Sequence, residues 1–146
     1  MGFTDYLENK LLDHVFGGNT YTKPLTIEIG LSTTPLGDDG TGFTEPNDVA
    51  YERVIVDNAI YDPDLETGFW NAAETATGGE HKGKGVKISA APVEFPAAEE
   101  DWGTVTHFFI TDGTNVLGAG ELVKSKTVQE GDVVMFDPGD LVITLD

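Results

Sequence analysis

The hydrophobic positions of the chain follow two periods, and the first is helical. Within the first sixteen residues, apolar side chains recur every three to five positions, as Leu7, Leu11 and Val15 in one row and Tyr6, Leu12 and Phe16 in another. This spacing predicts an amphipathic helix whose wide apolar stripe has to pack against its own chain or a neighbouring subunit. Asp5 with Glu8 three positions later predicts a capping box, and Gly17-Gly18 predicts the helix end, closed by a glycine in the left-handed conformation.

From Leu25 onward the period changes to two. Apolar side chains at 25, 27, 29 and 31 alternate with polar or small ones, which predicts a half-buried strand. Similar runs, separated by Gly- and Asp-rich turns, predict strands at Tyr51–Asn58, Val86–Ala90, Val93–Phe95, Thr104–Thr111, Asn115–Val123, Val133–Phe136 and Leu141–Leu145. Because no helical pattern alternates with these strands, the fold class expected is mainly β, an antiparallel β-sandwich or jelly roll with one N-terminal α-helix.

The length of 146 residues predicts a single domain, 1–146. Residues 1–18 form its helical arm and residues 19–146 its β-sandwich. Residues 61–85 are the one long stretch without a periodic pattern, and four glycines fall between Thr77 and Gly85. We expect an irregular, mobile loop there, because long loops in compact domains are usually functional or disordered.

The charge of the chain excludes several partners. Its 26 acidic and 8 basic residues give a net charge of −18, while 39% of the residues are hydrophobic. A chain this apolar folds and carries its acids on the surface, which disfavours nucleic acid and anionic membranes as partners. The absence of cysteine excludes disulfides and thiolate metal sites, and no apolar run is long enough for a signal peptide or a membrane span.

His107 is the first candidate for a catalytic residue. In an extended strand it shares one face with Val105 and Phe109, which predicts a half-buried structural histidine. A catalytic histidine needs a nucleophile and an orienting acid, and neither a cysteine nor a G-x-S-x-G elbow is present. The run Glu99-Glu100-Asp101 offers glycosidase-like chemistry only if another carboxylate faces it across a cleft. We therefore expect no enzyme.

Metal and cofactor sites are not predicted either. The acidic run from Asp62 to Gly68 could indicate a calcium-binding loop. An EF-hand loop, however, needs glycine at its position six and glutamate at its position twelve, and here Gly68 stands at position seven and Ala73 at position twelve. The stretch His81-Lys82-Gly83-Lys84 is the only basic cluster, and it predicts an electrostatic contact with an acidic neighbour. No phosphate loop, zinc spacing or dinucleotide fingerprint accompanies it.

The two tryptophans allow two interpretations, one structural and one functional. Trp102 precedes the predicted strand at 104–111, where the simpler reading is an aromatic plug that closes one end of the sandwich. The alternative is a stacking platform for a sugar, completed by exposed aromatic residues such as Phe69 and Trp70.

Several stretches resemble a family of small structural proteins of tailed phages that is often named "tail fibre protein". They are the opening MGFTDYLENKLLDHVFGG, the segment GLSTTP followed by an acidic turn and GTG, the motif EP with AYERV, EEDWGTVTHFFITD, and the closing DLVITLD. The helix with its double glycine and DWGTVTHF at Asp101–Phe108 are the most specific, whereas residues 62–85 match nothing in the family.

The resemblance implies a non-enzymatic virion component made in the host cytoplasm. A compact sandwich with a protruding helix, without fibrous repeats, is more similar to a capsid decoration or cement protein, whose partners are the major capsid protein and a second or third copy of itself. The alternative is a fibre or tail-tip protein that contacts tail proteins and binds host glycans. The residues expected at a partner interface are Leu7, Leu11, Val15, Phe16, Trp70 and Trp102.

Overall fold

The computed structural model describes residues 2–145 and has one helix and ten strands in that range. The helix α1 is Asp5–Phe16. The strands are β1 (Gly2–Phe3), β2 (Thr26–Ser32), β3 (Val54–Asp57), β4 (Glu74–Thr75), β5 (Gly85–Ile88), β6 (Val93–Glu94), β7 (Gly103–Thr111), β8 (Val116–Val128), β9 (Met135–Phe136) and β10 (Val142–Leu145). The predicted class, mainly β with antiparallel strands and one N-terminal helix, is confirmed. No helix within this range is long or apolar enough to cross a membrane.

A five-stranded sheet in the order β1-β8-β7-β2-β3 forms the first layer, and each neighbouring pair is antiparallel. Ile29 lies opposite Ile110, and Leu31 lies opposite Phe108. Directly opposite residues in an antiparallel pair point to the same face, so these four side chains make one face of the sheet apolar. The alternation read from the sequence of β2 therefore sets which face enters the core.

The second layer consists of a three-stranded sheet, β10-β5-β4, and a two-stranded one, β6-β9. Its buried side chains, among them Val93, Phe95 and Leu141, join those of the first layer in one hydrophobic core. The rings of Phe108 and Phe136 meet across the layers at a centroid distance of 6.0 Å. The jelly-roll form of the prediction is not confirmed, because the described strands divide into groups of five, three and two.

The other face of the five-stranded sheet is covered not by a second sheet but by the loop that connects β2 to β3, residues 33–53, which we call the covering loop. Gly30 lies opposite Phe109, and a Cβ atom added to Gly30 would overlap the Phe109 ring. The ring therefore rests directly on the backbone of β2. Phe43 packs over it at a centroid distance of 4.6 Å, and the Arg53 guanidinium lies 5.1 Å from the ring centre, in a cation–π contact.

Arg53 also holds the covering loop against the sheet through ion pairs. Its guanidinium donates to Glu45 through Nε at 2.9 Å and to Glu28 at 3.1 Å. Tyr51 donates its hydroxyl to Glu45 at 2.9 Å and accepts the Leu31 N–H at 2.9 Å. The hydrogen bond to Glu45 raises the pKa of Arg53, and burial raises the pKa of Tyr51. Both groups therefore keep their protons over the whole physiological range.

Some boundaries differ from those predicted. The N-cap position is Thr4 and not Asp5, and the Thr4 side chain makes no capping hydrogen bond. Gly17 at the helix end is extended, with φ −126°, rather than left-handed. A Cβ at Gly17 would lie 2.7 Å from the Asp13 carbonyl oxygen, so close packing is what requires glycine there. β8 continues five residues past Val123, because a bulge at 122–125 lets the strand pair again with β7.

The segment 61–85 is more regular than expected. Asp62 and Thr67 pair across a tight turn, and β4 pairs with β5. Ala76 and Lys84 continue that hairpin with an N–H to carbonyl distance of 2.9 Å. Its hydrogen bonds are local to a small hairpin and have no apolar alternation, which is why the sequence pattern did not show them.

We expect Gly30→Ala to lower the free energy of unfolding by about 1–3 kcal/mol, because the added methyl group forces the Phe109 ring off the backbone of β2. Chemical denaturation measures the change. Gly18→Ala is the matched control, since nothing lies within 4 Å of a Cβ at Gly18. Equal denaturation midpoints for the two variants would contradict the packing described here.

Candidate partner-binding surface

The helix α1 is anchored at its first turn. The Thr4 N–H donates to the Leu117 carbonyl oxygen at 3.0 Å, and the Thr4 hydroxyl donates to the Val116 carbonyl oxygen at 2.6 Å. The Asp5 N–H donates to the Asp38 carbonyl oxygen at 2.8 Å. Together with the pairing of β1 to β8, these bonds place the start of the helix on an edge of the five-stranded sheet.

The faces of α1 have different environments. Leu7 and Leu11 are half-buried and point into a groove of the same chain. Leu12, Val15 and Phe16 are 57%, 64% and 84% exposed, and no residue of the helix is fully buried. The predicted row of Leu7, Leu11 and Val15 is therefore divided between two faces. We call the surface formed by Leu12, Val15 and Phe16 the bare stripe.

The groove lies between α1, the five-stranded sheet and strands β5 and β10, and its volume is about 420 Å³. Its walls are almost entirely apolar, and the apolar side chains that line it include Leu7, Leu11, Ile27, Trp70, Ile110 and Ile143. An unfilled apolar concavity of this size is where a protein binds a ligand or a partner side chain.

Two lysines stand at the groove. Lys23 and Lys87 line it, and neither lies within salt-bridge distance of a carboxylate in the described part of the chain. Lys87 donates from Nζ to the Asn71 carbonyl oxygen at 2.9 Å. Burial, and then the positive charge of Lys23, lower the pKa of Lys87.

Tyr21 also lines the groove, and its hydroxyl oxygen is buried without a hydrogen-bond partner. Burial raises the pKa of this hydroxyl, and Tyr6 and Asp112 raise it further. Its backbone N–H donates to Nδ1 of His14 at 3.1 Å, which ties the far end of α1 to the segment that follows it.

The tryptophans are core residues. Trp70 is 2% exposed and donates from Nε1 to the Asn58 side chain at 3.2 Å. Trp102 is 5% exposed and meets the Tyr51 ring edge-on at 5.4 Å. The plug reading of Trp102 is confirmed. Burial of both rings leaves no exposed platform on which a sugar could stack. Trp70 lines the groove, and the place of the two tryptophans at a partner interface stays a prediction.

Asp48 holds Trp102 in place. Its carboxylate accepts the Trp102 indole N–H at 2.7 Å and the backbone N–H groups of Glu99, Glu100 and Ala50 at 2.9, 3.1 and 2.9 Å. These hydrogen bonds favour the ionised form and lower the pKa of Asp48 to about 2. The acidic run at 99–101 thus serves, through its backbone, to close one end of the sandwich.

The acids and the histidine considered for catalysis do not form a common site. Glu99, Glu100 and Asp101 are exposed, and none of them lines the groove. His107 is half-buried in β7, where its Nδ1 lies 2.7 Å from the Thr106 hydroxyl. It pairs in register with Glu121 on one side and Ser32 on the other, which fits a histidine within a sheet.

The acidic turn and the basic cluster are surface features. The Asp62 carboxylate accepts the N–H groups of Asp64 and Leu65, which closes the turn. Across residues 2–145, no group of three or more His, Asp or Glu side chains is placed to hold a metal ion. His81 lies at the tip of the β4–β5 hairpin, with Nε2 3.1 Å from the Glu80 carboxylate.

The sequence pattern did not predict the groove or the two lysines that line it. Lys23 and Lys87 are 64 positions apart, and no local pattern connects them. The sequence did contain a signal for the bare stripe. The helix has two rows of apolar residues, and the edge of a small sheet can cover only one of them.

Comparison with known families supplies the remaining observation. The family model described as "Podophage GP4 fiber I protein gp80" matches residues 2–144. A comparison with curated proteins finds no significant match.

We expect Asp48→Asn to lower the melting temperature at neutral pH, because an amide nitrogen would replace one of two oxygens that face N–H donors. The pKa of Asp48 is about 2 in the folded chain and ~3.9 in an unfolded one. Its stabilising effect is therefore complete above pH ~4 and is lost as the pH falls through about 2.

The melting temperatures of wild type and Asp48→Asn should converge between these two pH values. Asp64→Asn is the control, because the Asp64 carboxylate is exposed and accepts none of the hydrogen bonds described. A constant difference between wild type and Asp48→Asn from pH 7 to pH 2 would refute this role.

Proposed function

This chain belongs to the podophage GP4 fiber I protein gp80 family, and we propose on that basis that it serves as a structural subunit of a phage tail fibre. The family match carries the proposal, since it covers residues 2–144 of 146. The chain is thus a bacteriophage structural protein and a virion component. The family description favours a fibre over the capsid decoration role expected from the sequence.

The structure supports a role based on assembly. The bare stripe and the apolar groove are surfaces that one chain does not cover by itself, as expected of a subunit that buries them against a partner. A strongly acidic surface suits the outside of a virion, and it fits the exterior of a tail as well as that of a capsid. Tail proteins, or copies of this same chain, are therefore the partners we propose.

A non-enzymatic role agrees with the character of the groove. Among residues 2–145, the side chains that line it include no carboxylate or histidine, and the polar ones are two lysines, a tyrosine, an asparagine and a threonine. Binding of host glycans through stacked tryptophans is not part of the proposal, because Trp70 and Trp102 are buried.

The location of the chain in the virion tests this function. Quantitative mass spectrometry of intact virions and of tailless capsids from the same preparation should show a small number of copies per virion that disappear with the tails. A capsid protein and a known tail protein of the phage serve as internal references. Retention by tailless capsids, at a stoichiometry near that of the major capsid protein, would establish a decoration protein instead.

A further inference from the structure

The groove has the size and the walls of a small-molecule site. Its volume of about 420 Å³ lies within the range of about 300–1,000 Å³ that is usual for such sites. Leu7 and Leu11 of α1 form one wall, and Ile27 and Ile143 contribute to the others. An aliphatic chain that leaves water and fills such a cavity is stabilised by the hydrophobic effect and by dispersion contacts.

Two positive charges stand at the groove. Lys23 and Lys87 line it, and no side chain that lines it within residues 2–145 is acidic. Burial, followed by the charge of Lys23, lowers the pKa of Lys87, so the two ammonium groups are close enough to repel each other. A carboxylate placed between them offsets this repulsion and accepts charge-assisted hydrogen bonds.

Tyr21 adds a hydroxyl that the described part of the chain leaves unsatisfied. It lines the groove, and its oxygen is buried with no hydrogen-bond partner among residues 2–145. Asn58 also lines the groove, but it donates to the Pro24 carbonyl oxygen at 2.9 Å and accepts the Trp70 indole N–H at 3.2 Å. Because buried polar groups in proteins are nearly always hydrogen-bonded, the Tyr21 hydroxyl indicates an acceptor that a ligand supplies.

We propose that the groove binds a single-chain carboxylate amphiphile, such as a fatty acid, with its aliphatic tail along Leu7 and Leu11 and its carboxylate at Lys23 and Lys87. The Tyr21 hydroxyl is the third donor to the carboxylate. The bare stripe is on another face of α1, so the ligand leaves it free for a neighbouring subunit. The site does not depend on the fibre role and goes beyond it.

The charges favour a free anionic amphiphile over other occupants. A neutral apolar ligand would leave the two lysines and the buried hydroxyl without an acceptor, and a cationic one would be repelled by the lysines. An anionic membrane surface is disfavoured as well, because a chain with a net charge of −18 is repelled by it as a whole. A single dissolved carboxylate avoids most of that repulsion at physiological salt, where only nearby charges act on it.

The first test measures the ligand class. Isothermal titration calorimetry of the full chain with decanoate at physiological salt should show saturable binding at one site per chain. Hexanoate should bind about tenfold more weakly or worse, because it buries fewer methylene groups. Decan-1-ol should bind about tenfold more weakly than decanoate, because it has no charge for the lysines.

The second test blocks the groove. Ala73 is exposed and lines the groove, so Ala73→Phe should lower the affinity for decanoate by about tenfold or more by filling the space that the tail needs. Ala72→Phe is the matched control, since Ala72 is the exposed neighbour that does not line the groove. Circular dichroism with thermal unfolding confirms that each variant is folded.

The third test removes the donors. Lys23→Gln should weaken decanoate binding by about two- to tenfold, whereas Lys82→Gln, at an exposed lysine away from the groove, should leave it unchanged. Tyr21→Phe should weaken binding by about two- to fivefold and leave the melting temperature of the free chain unchanged or higher, because it removes a hydroxyl with no partner.

Absence of saturable decanoate binding, equal binding by Ala73→Phe and Ala72→Phe, or wild-type affinity in Lys23→Gln would overturn the proposal. Equal affinities for decan-1-ol and decanoate would overturn the anionic head group. Binding to phosphatidylglycerol vesicles without binding to decanoate would assign the lysines to a membrane surface instead. These outcomes leave the fibre proposal standing, whereas retention of the chain by tailless capsids would refute the fibre proposal alone.

Discussion

The contact of Phe109 with the backbone at Gly30 organises the rest of the structure. The ring takes the space of a side chain on β2, and Phe43 and Arg53 enclose it from the outer side. Arg53 then binds Glu45 in the covering loop and Glu28 on β2. A loop thereby covers one face of the sheet, and the opposite face is left for the second layer of the sandwich.

The two ends of the sandwich are held by different contacts. At one end, the Asp48 carboxylate in the covering loop accepts hydrogen bonds from the Trp102 indole and from the backbone N–H groups of Glu99 and Glu100. At the sheet edge, Thr4 fastens the start of α1 to β8. The hydrogen bonds to the sheet hold the helix at its beginning, and a single bond from the Tyr21 N–H to His14 holds its far end, so the helix borders a groove without filling it. The features that suit assembly thus arise from how few contacts the helix makes with its own chain.

Local pattern explains what could be predicted from the sequence. The helix, the β2 strand and most other strands follow from periodicity, because the face that a residue takes in a helix or strand depends only on near neighbours. The burial of Trp102 was expected for the same reason. The anchoring of Thr4 was missed because its hydroxyl bonds to β8, more than a hundred residues away. The groove could not be predicted, since its walls come from elements that meet only in the folded chain.

The interface residues show the same limit. Leu7, Leu11, Val15 and Phe16 were correctly placed on a helix, but their separation into a groove wall and a bare stripe depends on where β8 and β10 lie. For Trp102 a buried plug was expected, with a stacking surface shared with Trp70 as the alternative. Both rings are buried, and Asn58 and Asp48 accept hydrogen bonds from their indole N–H groups.

The measurement that tests the account most directly is a cryo-electron microscopy map of the purified virion, with its tail resolved well enough to place side chains. The account predicts that copies of this fold lie in the tail fibre, with Leu12, Val15 and Phe16 covered by a neighbouring subunit. Copies arrayed on the capsid shell, or tail copies whose bare stripe faces solvent, would contradict it.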